Sequence, residues 1–166
     1  MNDVYLILGS NIGKERNLPT AVSLLRAACD VVAVSSIYET VPTGLRDQPN
    51  FWNTAVHLRT HLTPNELKTE ILAPIEEQLK RVRLADKNAP RTIDLDIVLF
   101  NDEVCEYDGG DGRLRPIPDP DLLKFPHVAV PIAELAGEML HPETAVSLAE
   151  IAAKLQQPDQ IWQVSQ

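Results

Sequence analysis

Two aspartates and a group of arginines set the chemical problem in this sequence. In "PRTIDLDIVLF" (Pro90 to Phe100), Asp94 and Asp96 interrupt an apolar run, Arg91 stands just before it, and Arg81 and Arg83 lie shortly upstream. A carboxylate is costly to bury without a partner. Side chains alternate along a strand, so Thr92, Asp94, Asp96 and Val98 should point one way, and Ile93, Leu95, Ile97 and Leu99 the other way into a core. The two acids then share a face, with Cα atoms roughly 6.5–7 Å apart. Bare carboxylates so placed repel, and one pKa rises. A divalent cation removes the conflict. Mg²⁺ takes hard oxygens, keeps waters and is held by one or two carboxylates plus substrate phosphates, and a pair of ions about 3.5–4 Å apart can be bridged from such acids. The plainer alternative is a solvated outer sheet face. The neighbouring arginines favour the first reading, because acids and arginines together bind a metal–phosphate complex.

The elements that must position these groups are legible as patterns. "VYLILGS" (Val4 to Ser10) reads as a buried strand ending in a turn. Leu18, Ala21, Val22, Leu25 and Ala28 follow a helical period. "VVAVSSIY" (Val31 to Tyr38) reads as one strand, and Glu39 to Asn50 as a loop. "FWNTAVHLR" (Phe51 to Arg59) alternates, placing Phe51, Asn53, Ala55 and His57 on one face and Trp52, Thr54, Val56 and Leu58 on the other. Thr63, Pro64 and Glu66 form a helix start with a capping box. Leu67, Ile71, Ile75 and Leu79 make the stripe that follows, with a kink expected at Pro74. The acidic, Gly- and Pro-containing segment from Asn101 to Pro120 reads as a mobile excursion. A last helix starts at Ser147, with Glu150 three residues on, and should bury Leu148, Ile151 and Leu155. This order predicts an α+β fold: a ferredoxin-like α-β sandwich with a four-stranded, mainly antiparallel sheet, packed helices and a C-terminal helical extension.

The chain of 166 residues suits one domain spanning 1–166. A net charge of −9 argues against a nucleic-acid partner. The basic stretch Lys80, Arg81, Arg83, Lys87 and Arg91, with Asp86 its one acid, would suit a bound phosphate chain, but charge alone favours a solvated helix end, where Lys and Arg complement the dipole. No apolar run approaches the roughly 20 residues of a membrane span, and "MNDVYLILGS" lacks a basic leader. Cys29 and Cys105 show neither metal nor disulfide spacing. A reducing cytoplasm is the expected compartment. "LGSNIGKER" lacks Walker A spacing, so any nucleotide must be held without a P-loop.

Five segments occur in order: "LGSNIGKERNL", "SSIYETVPTG", "DQPNFWNTAV", "IEEQLKRVR" and "APRTIDLDIVLF". Together they resemble the 6-hydroxymethyl-7,8-dihydropterin pyrophosphokinases of the folate pathway, over nearly the whole chain. The resemblance implies transfer of the β,γ-pyrophosphoryl group of ATP to the pterin hydroxymethyl, with release of AMP and use of two Mg²⁺ ions. It implies that Asp94 and Asp96 hold the metals, that Arg81 and Arg91 contact the ATP phosphates, that Arg83 serves the nucleotide side, and that Glu76 is an acid beside the site. It further implies a pterin loop at Thr40, Val41, Pro42 and Thr43, an aromatic pterin contact at Phe51 and a polar reader of the ring at Asn53. ATP and a dihydropterin are the expected small-molecule partners, with other folate-pathway enzymes as candidate neighbours.

The C-terminal third departs from the family pattern. In "PIPDPDLLKFPHVAV", Asp119 stands where the family has a histidine, Phe125 (or Lys124, with a small shift) where it has an arginine, and His127 where it has the pterin-stacking phenylalanine. Asn88 replaces an aromatic near the adenine, and Lys80 and Ala89 replace glycines. Two alternatives therefore stay open beside the family reaction. One is a pterin- or nucleotide-binding homologue with impaired catalysis. The other is a pyrophosphokinase acting on a related pterin alcohol.

Overall fold

The computed structural model describes residues 1–45, 47–82, 85 and 88–165. Its centre is an antiparallel sheet. Strand β1 (Asn2–Ser10) pairs with β4 (Phe51–Thr60) on one side and β5 (Asp94–Phe100) on the other. The strand order is β5-β1-β4-β3-β8, where β3 is Tyr38–Thr40 and β8 is Ile161–Gln163. β2 (Asp30–Val34) also pairs with β4, end to end with β3.

Among the described residues the sheet thus has six strands, not the four expected. Two causes account for this. The β-branched run at Val31 to Tyr38 is broken in the middle, where the Ser35 hydroxyl accepts from the Ala55 N–H (2.8 Å) and donates to the Ser36 carbonyl (2.8 Å). A side chain that bonds the local backbone interrupts the ladder. The second cause is the short C-terminal segment, which closes the β3 edge; its Ile161 is buried.

Helices cover both faces. One face packs Leu6, Leu8, Val56, Leu58, Leu95 and Ile97 against α1 (Lys14–Ala28) and against α2 (Pro64–Leu67) and α3 (Ala73–Gln78). The other packs Ile7, Ala55, Val98 and Leu99 against α4 (Pro126–Ala136) and α5 (Leu148–Leu155). The alternation read for β5 holds through Val98 and fails at Leu99. A bulge lets Tyr5 face Leu99 while Leu6 faces Ile97, so Val98 is an extra residue. The extra residue puts Leu99 on the second face and returns Phe100 to the first.

The capping box at Thr63 forms as expected, with Thr63 N–H donating to Glu66 and Glu66 N–H to the Thr63 hydroxyl. Pro74 is accommodated by a π turn at Lys68–Leu72, in which Ala73 N–H reaches back to the Lys68 carbonyl. The inserted residue rotates the helix, so the buried face reads Leu67, Lys68, Leu72, Ile75 and Glu76. Ile71 and Leu79 sit at its margin.

The excursion after β5 is a hairpin, β6 (Cys105–Asp108) with β7 (Leu114–Ile117). Tyr107 and Ile117 bury into the first core, which anchors it. The last helix begins where expected, with the Ser147 hydroxyl accepting from Glu150 N–H. No helix among the described residues is long and apolar enough to cross a membrane.

Candidate active site

The entry to β5 is built by the turn after β1. Asn11 is buried and lies against Arg91 through the main chain. Arg91 N–H donates to the Asn11 side chain (2.9 Å), and the N–H groups of Asn11 and Ile12 both donate to the Arg91 carbonyl (3.1 Å each). The same Asn11 amide donates to Gln48 (2.7 Å) and to the Pro49 carbonyl (3.0 Å). The "LGSNIG" turn therefore ties the entry to β5 to the loop that precedes β4.

Asp94 and Asp96 project from β5 into one cleft of about 640 Å³. Arg91 donates to Asp94 at 3.1 Å, is held by the Ala89 carbonyl (3.2 and 3.1 Å), and lies over the Phe51 ring at 5.6 Å. The two acids experience opposite fields. Burial drives both towards the neutral form. At Asp94 the charges of Arg91, Lys68 and Arg81 outweigh it and hold the carboxyl below its ordinary value. At Asp96 burial is reinforced by the Asp94 carboxylate and pushes the group well above its ordinary value. A hard dication beside the pair would reverse that push, so the donor set fits Mg²⁺.

Arg81 reaches the cleft through the end of α3. Arg81 N–H donates to the Glu76 carbonyl (2.9 Å) and Lys80 N–H to the Glu77 carbonyl (3.0 Å), the paired bonds of a Schellman cap. Such a cap needs a left-handed residue, and Lys80 supplies it at φ 62°. A glycine would take this conformation without the Cβ strain that lysine bears. The Arg81 guanidinium donates to the Val82 carbonyl and lines the cleft. Arg83 lies outside the described residues. Glu76 is not on the cleft wall but behind β5, where its carboxylate accepts from Leu95 N–H (3.0 Å).

The loop and aromatic positions converge on the same cleft. Thr40, Val41, Thr43, Phe51 and Asn53 line it, and Pro42 lines an adjoining recess. Asn53 is buried and donates to the Thr40 hydroxyl at 2.8 Å. Gly9 lies between Asn53 and Asp94 in the sheet. A Cβ there would come 3.0 Å from the Asn53 side-chain oxygen. The glycine leaves the cleft floor open.

The C-terminal side contributes His127, as expected, and also Phe125, Asp119, Asp121 and Arg113. His127 and Phe125 stack with centroids 5.4 Å apart. Burial, aided by Arg91, holds His127 below its ordinary pKa, so the ring is the more readily neutral. Asp119 is pushed up to about 6 by burial and by the carboxylates of Asp121 and Asp94, while Asp121 N–H donates to it at 2.9 Å. Arg113 went unnoticed in the sequence because its segment reads as an acidic excursion. Only the hairpin turns it back over the site.

The fold and the cleft define a class: an α+β enzyme of phosphoryl transfer, with acids and arginines at one end of a cleft and an aromatic–amide pair at the other. Residues 5–137 match the model of the 7,8-dihydro-6-hydroxymethylpterin-pyrophosphokinase (HPPK) family, and the chain belongs to that family. It is 43% identical over 143 residues to the 2-amino-4-hydroxy-6-hydroxymethyldihydropteridine pyrophosphokinase of Bacillus subtilis, covering 84% of this chain and 81% of that one. It is 32% identical over 142 residues to a folic acid synthesis protein of Dictyostelium discoideum, covering 85% of this chain but 20% of the larger protein. The fold matches a Plasmodium falciparum HPPK-DHPS crystal structure with a TM-score of 0.76 at 14% identity, over 92% of this chain and 45% of that one.

Proposed function

We propose that this chain transfers the pyrophosphoryl group of ATP to the hydroxymethyl group of 6-hydroxymethyl-7,8-dihydropterin, releasing AMP. The observation that carries the reading is the convergence of Asp94, Asp96, Arg81 and Arg91 with Phe51 and Asn53 on one cleft. In the reaction the substrate hydroxyl oxygen bonds to the β-phosphorus. The bond from that phosphorus to the α,β-bridging oxygen breaks, AMP leaves with the electron pair, and the hydroxyl proton is released. Asp94 and Asp96 are the residues that would hold two Mg²⁺ ions. When bound, these supply charge neutralisation on the phosphates.

The chain's own residues supply position and charge. Arg81 and Arg91, with Arg83 as a third candidate, neutralise phosphate oxygens that the acids cannot approach. Phe51 stacks on the flat ring, and Asn53 bonds its edge. Thr40, Val41, Pro42 and Thr43 form the loop beside it. Phe125 and His127 offer a second aromatic surface, which bears on the position where the family has a stacking phenylalanine. Such transfer depends on holding the two substrates in line more than on a strong base. A cytoplasmic setting and contact with other folate-pathway enzymes fit this reading. Relatives in which the shared region is a fraction of a longer folic acid synthesis protein support the second point.

Asp119 and Asp121 add negative charge to a site for a polyanion, and this favours a second reading, a homologue that binds Mg-ATP without turnover. Incubating the folded protein with Mg²⁺, ATP and the hydroxymethyl dihydropterin separates the two. AMP release carries the first reading; calorimetric binding of Mg-ATP without AMP carries the second. A panel of related pterin alcohols then defines the acceptor.

A further inference from the structure

Among the described residues, β5 is an edge strand with one sheet neighbour, β1. In an antiparallel ladder, alternate residues of an edge strand direct both backbone polar groups away from the sheet. Leu95, between the two aspartates, is such a residue. Its N–H donates to Glu76 Oε2 (3.0 Å) and its carbonyl accepts from Lys68 Nζ (2.8 Å). Lys68 Nζ also donates to Glu76 Oε1 at 3.2 Å. Lys68 is 2% exposed and Glu76 3% exposed. The pair thus occupies the place of a missing strand at one residue.

A lysine is seldom buried to this degree unless paired. The π turn is what makes the pairing possible. Residues eight apart on an α-helix lie about 80° apart around it, but with one residue absorbed by the wider turn they lie about 20° apart. Leu95 N–H belongs to the peptide joining Asp94 to Leu95, and its carbonyl to the peptide joining Leu95 to Asp96. Holding both peptides fixes the directions in which both aspartates leave the strand. The Lys68 charge also acts on both acids.

We propose that Lys68 is a positioning residue of the phosphoryl-transfer site. Through Glu76 and the two backbone bonds of Leu95, it holds Asp94 and Asp96 in the orientation in which they take metal. The inference rests on the reading that these aspartates are the metal ligands.

The test compares two uncharged replacements of the pair. Lys68→Met with Glu76→Gln removes the donor to the Leu95 carbonyl. Lys68→Gln with Glu76→Gln removes the same charges but retains a donor and an acceptor. Binding of Mn²⁺ with a non-hydrolysable ATP analogue is followed by electron paramagnetic resonance and calorimetry. Loss of an outer-shell partner costs metal affinity on the order of 10–100-fold. The Met variant should lose at least about tenfold, and the Gln variant should recover most of that loss. KM for the pterin should stay within about threefold in both. Equal affinity in the Met variant and the wild type overturns the proposal; equal loss in both variants also overturns it, because charge alone would then be responsible. Should the Met variant not fold, amide exchange in the wild type decides. Leu95 N–H should be as protected as the amides of Asp94 and Asp96, and rapid exchange sinks the idea. Asp96→Ala is run alongside. If it leaves Mn²⁺ binding intact, the metal reading itself fails, independently of Lys68.

Discussion

Asp94 and Asn53 lie in one transverse row of the sheet, each the cross-strand partner of Gly9. Strands are about 4.7–4.9 Å apart, so the two residues stand roughly 9–10 Å apart across a glycine floor. The spacing leaves room for a phosphate on the acid side and a flat ring on the amide side. Gly9→Ala should therefore act on the ring end first, because its Cβ meets the Asn53 oxygen at 3.0 Å. The expected result is a several-fold rise in KM for the pterin with a much smaller change for ATP, checked by steady-state kinetics.

Arg91 binds through a planar fork: one arm on Asp94, two donors on the Ala89 carbonyl, and its face on Phe51. Lysine keeps the charge but not the fork. Arg91→Lys should raise KM for Mg-ATP by about 10–100-fold, the value of one charge-assisted hydrogen bond at ~1.5–3 kcal/mol. Circular dichroism should be unchanged.

Asp96 is held well above its ordinary pKa by burial and by Asp94. In metal-free protein its charged form opposes folding, because the folded state binds a proton that the unfolded chain has released. Asp96→Asn should raise the metal-free Tm at pH 8 and lower turnover by more than about 100-fold, the upper range for outer-shell partners. Differential scanning calorimetry and an AMP assay check the two halves.

Asp119 titrates at about 6 in the folded protein against an ordinary 3.8. The folded state then holds a proton more tightly than the unfolded one. Its contribution to stability is present below pH ~4 and is lost as pH rises through ~6. Asp119→Asn should flatten the fall in metal-free Tm across that window and leave the variant more stable than the wild type at pH 7.5. Thermal melts from pH 4 to 8 measure this.

Lys80 holds a left-handed conformation at φ 62° within the α3 cap. Side chains other than glycine meet a steric cost of about 1–2 kcal/mol there, partly offset by glycine's larger chain entropy. Lys80→Gly should stabilise the protein by roughly 0.5–1 kcal/mol in urea unfolding.

Much of the site was legible because it depends on short-range rules. Alternation alone put Asp94 with Asp96 and Phe51 with Asn53, and the structure keeps both pairs together in one cleft. The capping box at Thr63 and the helix start at Ser147 are also local hydrogen-bond patterns, and both form. The irregularity expected of the helix at Pro74 takes the form of a π turn at Lys68–Leu72, just before it, which was not readable because it depends on what the rotated face must bury.

Residue types and their period determined which side chains share a face and which segments cap helices, and the five ordered motifs carried the resemblance to the family. Tertiary structure decided what those faces meet. The bulge opposite Tyr5 sends Leu99 to the other core. The hairpin at β6 and β7 swings Arg113 over the cleft, and the chain after it places Asp119 there too. The π turn lays Lys68 and Glu76 against the open edge of Leu95. Register, crossovers and edge contacts join residues far apart in the chain. No periodicity within one segment encodes them, because their energy comes from surfaces that meet only once the chain has folded.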